Sequence, residues 1–322
     1  MPKISIIIPV YGVEKYIERC ARSLFEQTLD DIEYLFIDDC TPDNSINLLN
    51  SLLEEYPHRK GQVVVHRMEH NSGQAAVRTW GMLNASGDYV IHCDSDDWVD
   101  KNLYKTLYTT AVQNQADVVV CDYVVHDGVN SLRQVRGCST LDRLSFVNNL
   151  LLKKDPWALW NKLFRRELCQ NNLCFPTGNM GEDMALCIQM LLRCNTISCV
   201  SGVFYYYYFN SSSIMNQMSK DKNLYNYESL RNNNIIVERA IEAEGLQDKF
   251  KQGIKNIQFN SLVWLFPYVN KYHVYCLLNN TYSTGPIAYL KTPSVSFEYK
   301  IQYLLALVRI FPYLMRLKKW LS

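Results

Sequence analysis

Residues 3 to 10, Lys-Ile-Ser-Ile-Ile-Ile-Pro-Val, form a short apolar and β-branched run bounded by Pro and Gly. That pattern belongs to a parallel strand covered on both faces. After Tyr11-Gly12, the residues Ile17, Cys20, Ala21, Leu24 and Phe25 recur at i, i+3, i+4, i+7 and i+8, so Glu14 to Gln27 reads as a helix with one apolar face. The unit then repeats. A strand from Glu33 to Ile37 leads through the turn-rich Asp38-Asp39-Cys40-Thr41-Pro42-Asp43 into a helix carrying Ile46, Leu49, Leu52 and Leu53, with Asp43 or Asn44 as N-cap. Further strands are expected at Gln62 to His66, Tyr89 to Cys93 and Asp117 to Cys121, with helices at Ala75 to Asn84 and Leu103 to Gln113. Such alternation predicts a mostly parallel, doubly wound α/β sheet with helices on both faces.

Past Tyr123 the alternation fades into Gly, Ser and Arg around Asp127 to Ser139, and a more helical stretch follows to about Leu192. Beyond the Tyr205 to Tyr208 run and the serines at 211 to 213 the chain reads as helical, with no repeat of solenoid length. The expected organisation is an α/β region over 1–215, divided near 123, and a helical region over 216–322. Composition changes this picture little: 48% hydrophobic and 20% charged residues describe an ordinary folded globular chain. Lys plus Arg number 33 against 32 Asp plus Glu, so no global basic field points to nucleic acid. The eleven cysteines are odd in number, lack a C-x-x-C pair and sit among apolar residues, which suits reduced core thiols in a cytosolic setting. The start of the chain lacks the h-region and cleavage site of a signal peptide, so export is not expected.

In open α/β sheets ligands bind at the carboxyl ends of the strands, which singles out Pro9-Val10-Tyr11, Asp38-Asp39 and Cys93-Asp94-Ser95-Asp96-Asp97. Adjacent carboxylates repel one another unless a cation or hydrogen-bond donors compensate them. In an extended chain, Asp94 and Asp96 would point the same way and offer oxygen ligands to Mg²⁺ or Mn²⁺, with phosphate oxygens completing the coordination. The same four residues also read as an acidic turn capping the next helix, and Asp38-Asp39 taken alone reads as an Asx turn. There is no G-x-G-x-x-G after the first strand and no P-loop, so a nucleotide needs another grip.

Five ordered segments, Ser5 to Tyr11, Ser23 to Thr28, Ile37 to Ser45, His70 to Arg78 and Ser86 to Asp97, together resemble family 2 glycosyltransferases, nearly continuously over the first 120 residues. The resemblance implies a GT-A type fold and a nucleotide-diphosphate sugar donor, UDP being favoured. It implies that Pro9 and Tyr11 line the base pocket, that Asp39 hydrogen-bonds the base and that Arg78 lies near the nucleotide. Asp94 and Asp96 match the D-x-D pair that touches the ribose and holds the divalent metal, and Glu14 and Ser95 join the donor-contacting set. Thr79-Trp80 departs from the family pattern, in which Asn often follows the Arg.

In the second half, Gly181-Glu182-Asp183 precedes the apolar run Met184, Leu186, Cys187, Met190 and Leu191. Acids favour a helix start through the macrodipole, which is a structural reading of the pair. Its match to the family's E-D motif implies instead that Asp183 deprotonates the acceptor hydroxyl, with Glu182 beside it, and Trp157 to Arg166 resembles the stretch before that motif. The acceptor is then a glycan or lipid-linked glycan. From Lys300 onward, Ile301, Leu304, Leu305, Val308, Phe311 and Leu314 mix with Lys300, Arg309, Arg316, Lys318 and Lys319, with no acid after Glu298. Arg309 and Pro312 interrupt the apolar stretch, so it makes a poor membrane span; it suits either an anionic membrane surface at the cytoplasmic face or packing on the protein.

Overall fold

The protein is described by a computed structural model covering residues 1–209, 220–280, 290–291 and 295–315. The first half alternates as its hydrophobic periodicity requires: β1 (Ile4–Val10), α1 (Ile17–Phe25), β2 (Ile32–Asp38), α2 (Ser45–Leu53), β3 (Val63–Arg67), α3 (Gln74–Asn84), β4 (Tyr89–His92), β5 (Trp98–Val99), α4 (Leu103–Gln113) and β6 (Val118–His126). Then follow β7 (Ser131–Val135), α5 (Arg143–Leu151), β8 (Lys162–Arg165), α6 (Arg166–Gln170), α7 (Glu182–Arg193) and β9 (Ile197–Tyr208). Helices α8 (Lys220–Ala243), α9 (Gln247–Leu262), α10 (Tyr272–Asn280) and α11 (Phe297–Leu307) complete the described chain.

The strands form one nine-stranded sheet in the order β3-β2-β1-β4-β8-β6-β9-β5, with β7 paired to β6. Strands β3, β2, β1 and β4 are mutually parallel, and β6 runs parallel to β9. The short β8 lies antiparallel between β4 and β6. The α/β class and the helical C-terminal region therefore hold, and β8 joins two parallel blocks into a mixed sheet.

The period of the strands sorts their side chains to two cores. Ile4, Ile6, Ile8 and Val10 pack with Cys20, Leu24, Leu49 and Leu107 from α1, α2 and α4. Ile7, Leu35 and Ile37 face the other way, onto Val77 of α3 and, further along, Phe146 of α5 and Met184 of α7. A third core gathers Phe259, Phe266, Tyr303 and Ala306 under α11. Because β1 lies between β2 and β4, the carboxyl ends of all three strands sit side by side, at the point where the strand order reverses.

A candidate donor site with a catalytic carboxylate

The end of β4 departs from the extended geometry that its alternating aspartates suggested. Strand β4 stops at His92, and Asp94 to Asp97 close a turn in which Asp97 N donates to Asp94 O at 3.1 Å. The two side chains of the D-x-D pair are thus oriented by a turn and its supports, not by strand period; the turn is as the acidic-turn reading expected, but it caps no helix, since β5 follows it and α4 begins after Asn102.

Those supports come from distant parts of the chain. Tyr205, fully buried on β9, accepts from Asp94 N at 3.1 Å and donates its hydroxyl to Asp97 Oδ2 at 2.6 Å. Asp97 Oδ1 accepts Tyr208 N at 2.6 Å. Burial, with repulsion from Asp96 and Asp94, pushes the Asp97 carboxyl well above its usual range. Asp97 therefore holds β9 to the turn, leaving Asp94 and Asp96 as the carboxylates available to a ligand. Ser95 between them is buried.

Asp94 is tied to the second half of the protein through Arg78. This buried guanidinium donates to Asp94 Oδ1 at 3.0 Å and to Glu182 Oε1 at 2.7 Å. Burial pushes Glu182 up to about 8 despite the opposing arginine. Arg78 thus spends its donors on two protein carboxylates and fixes the first turn of α7 against the end of β4. Asp183 follows Glu182 in that turn and is half-buried, its Oδ1 accepting Met184 N at 2.7 Å. Gly181 precedes the helix at φ +76°, a left-handed conformation that favours glycine, and a Cβ there would also meet the Leu230 Cδ1 methyl at 2.5 Å.

At the end of β2, Asp38 forms the expected Asx turn, accepting Thr41 N at 2.7 Å, and pairs with Arg67 at 2.7 Å. Asp39 is buried and accepts Ser72 N at 2.7 Å and Gly73 N at 2.8 Å, so it orders the loop that enters α3. Asn179 completes this corner by accepting Ala75 N at 2.9 Å. Tyr11, 49% exposed, follows Val10 in the same row of strand ends, whereas Pro9 is half-buried within β1. Glu14 is exposed and accepts Asn44 N at 3.2 Å, while its own amide donates to Asp43 at 2.9 Å, clasping the loops after β1 and β2 together.

The donor set at the turn suits a hard divalent cation. Burial and the charge of Asp94 push Asp96 up to about 6, and no lysine, arginine or histidine among the described residues pairs with its carboxylate. Asp94 shares Arg78 with Glu182 and Asp96 has no paired cation, and their oxygen ligands match Mg²⁺ or Mn²⁺. Among the described residues no cluster of three or more His, Cys, Asp or Glu could hold a metal alone, so other oxygens would have to complete the shell.

The pattern reading missed Tyr205 and Asn179, and it did not set Asp97 apart from the other acids of the turn. Nothing in the local sequence of the tyrosine run marks one hydroxyl as a partner for an aspartate more than a hundred positions away.

The clustered acids thus stand at the carboxyl ends of parallel strands where the strand order reverses, the place at which open α/β sheets bind ligands. The model of glycosyl transferase family 2 matches residues 5–194, and the chain belongs to that family. It is 33% identical over 192 residues to the glycosyltransferase GlyA of Streptococcus pneumoniae, covering 56% of this chain and 27% of that protein. It is 30% identical over 223 residues to the uncharacterized glycosyltransferase EpsJ of Bacillus subtilis, covering 66% of this chain and 63% of the relative. The chain thus spans less than two thirds of either relative. The crystal structure of Staphylococcus aureus TarS residues 1–349 superposes with a TM-score of 0.70 at 21% identity, over 99% of this chain and 92% of that one, and so shares its fold.

Proposed function

We propose that the protein is an inverting glycosyltransferase that moves a sugar from a nucleotide-diphosphate donor, a UDP-sugar, to a hydroxyl of a glycan or lipid-linked glycan. The observation that carries this reading is the Asp94–Arg78–Glu182 bridge, which sets Asp183 beside the end of β4. Residues 1–123 then form the donor half and 124–215 the acceptor half. The TarS portion solved in complex with UDP-GlcNAc has a TM-score of 0.63, and a Pyrobaculum calidifontis mannosyltransferase in complex with GDP-Man and Mn²⁺ has one of 0.54; both support the donor class.

In this mechanism Pro9, Tyr11 and the corner around Asp39 receive the base, with Glu14, Arg78 and Ser95 in the donor-contacting set. Asp94 and Asp96 would hold the Mg²⁺ or Mn²⁺, which supplies charge neutralisation for the departing diphosphate. Asp183 accepts the proton of the acceptor hydroxyl as its oxygen bonds to the anomeric carbon and the bond from that carbon to the diphosphate oxygen breaks. Glu182 stays bound to Arg78 and orients the turn that carries the base.

The C-terminal region supports a location at the cytoplasmic face of a membrane. On α11 and just beyond it, Phe297, Ile301, Leu304 and Val308 recur at i, i+4, i+7 and i+11 and all are exposed, Phe297 at 78%. Tyr303 and Ala306 occupy the buried side. An exposed apolar stripe beside Lys300 and Arg309 fits an anionic lipid surface. Arg316, Lys318 and Lys319 of the same basic segment lie outside the described residues. Among the described residues no helix is long and apolar enough to cross a membrane.

The deciding experiment is calorimetric titration of UDP, GDP and dTDP with and without Mn²⁺ into the wild type and Asp96→Ala. Metal-dependent binding of UDP that is lost in the variant is expected. Failure of all three nucleotides to bind the wild type would sink the assignment.

A further inference from the structure

Arg19 has no role in the reading above, yet it reaches the acidic turn from α1. Its Nη2 donates to the main-chain oxygen of Asp96 at 2.7 Å. Its guanidinium carbon lies 3.9 Å from the centre of the Trp98 ring and 4.9 Å from that of Tyr208, so the planar group sits against two aromatic faces. Trp98 is itself stacked on Tyr206, with ring centroids 5.2 Å apart and planes 4° from parallel. Tyr208 is the residue whose amide binds Asp97. One cation is thus seated by the same strand that holds the turn from its other side.

What this cation touches is informative. A guanidinium so close to clustered carboxylates would ordinarily take one of them bidentately. Here the aromatic faces hold it in a plane from which it reaches a peptide oxygen, and it forms no ion pair with Asp94, Asp96 or Asp97. It fixes the backbone of Asp96 without occupying the oxygens that a metal needs. Its positive charge also offsets the mutual repulsion of the acids at a distance.

We propose that Arg19 is a positioning residue for the divalent-metal site: it pins the peptide of Asp96 so that the Asp96 carboxylate stays turned to the crevice and unpaired, beside Asp94, whose Oδ1 Arg78 holds. The idea rests on the donor-site reading above. Lysine carries the charge but neither the planar fork nor the ring stacking, so Arg19→Lys should restore only part of what Arg19→Gln loses.

The test is Mn²⁺ binding followed by the paramagnetic resonance of the free ion, with UDP present, in wild type, Arg19→Lys and Arg19→Gln, alongside metal-free UDP calorimetry and thermal melting. Arg19→Gln should weaken Mn²⁺ about tenfold, the usual effect of removing an outer partner of a metal ligand. Arg19→Lys should fall between, and metal-free UDP affinity should be unchanged in both. Wild-type Mn²⁺ affinity in Arg19→Gln would overturn the proposal. So would a parallel loss of metal binding, metal-free UDP binding and melting temperature in both variants, because that pattern marks a purely structural arginine. A wild type that binds no Mn²⁺ with UDP would bring down the metal-site assignment itself, and the proposal with it, before any variant is compared.

Discussion

In the proposed mechanism two side chains at the start of α7 divide the chemistry. Asp183 is half-buried beside a glutamate that Arg78 already holds, so it is the acid left to take a proton. Asp183→Asn keeps shape and loses basicity; nucleotide affinity should stay within about twofold while turnover falls by about 10²–10⁴, the range for a general base. Near-normal turnover in that variant would remove Asp183 from the role. Arg78→Met leaves the buried Glu182 carboxyl without its donor and should cost about 1–3 kcal/mol in urea unfolding, because an unmet buried polar group is costly. Adding Glu182→Met should recover part of that loss, and additive destabilisation by the two changes would argue against the bridge.

Among the elements, β6 owes its place to Asp117 as well as to its valines. Asp117 accepts Asn195 N at 2.7 Å and Thr196 N at 3.2 Å and pairs with Arg165 at 2.9 Å, joining β6 to the α7–β9 connection and to β8. Burial opposes the charged form, but these donors outweigh it, and the carboxyl lies below its ordinary 3.8. A depressed folded-state pKa stabilises the fold above the unfolded value, and the gain is lost as pH falls through the folded one. Asp117→Asn should therefore destabilise by about 1–3 kcal/mol at pH 7, with the gap from wild type closing below about pH 4. Urea midpoints across pH 3 to 8 would check this, and a gap that stays constant down to pH 3 would contradict it. The boundaries of α3 and α4 follow closely from hydrophobic spacing, since each has one buried face, and those of β2 from a short apolar run buried on both faces. The two-residue β5 and the four-residue β8 are too short to show a period, so their pairing had no local signature.

For the whole molecule, the exposed stripe of α11 lies over the third core, beyond the residues that the family model matches. If it meets lipid, wild-type protein should sediment with anionic vesicles at low salt, and Phe297→Asp combined with Leu304→Asp should abolish that while leaving UDP binding unchanged. Equal sedimentation of the double variant, or none by the wild type, would remove the membrane surface from consideration. The stripe carries apolar residues at helical spacing, and spacing alone does not say which face is packed. Tyr303 and Ala306 turned inward because Phe259 and Phe266 are there to receive them, with ring centroids 5.4 and 5.8 Å from Tyr303.

By itself the sequence determined the α/β class, the order of the first four strands and helices, and the strand ends at which Asp39, Asp94 and Asp96 would appear. Those features rest on periods of two and 3.6 residues and on turn chemistry, which act within a few positions. Tertiary structure alone decided that Arg78 would bridge Asp94 and Glu182 and that Tyr205 would hold Asp97. It also decided that Arg19 would meet the peptide of Asp96. Each joins groups sixteen or more positions apart, some more than a hundred, in a buried environment where an unmet charge or donor is costly. Which partner meets that demand depends on where packing brings the elements, and no local pattern records it.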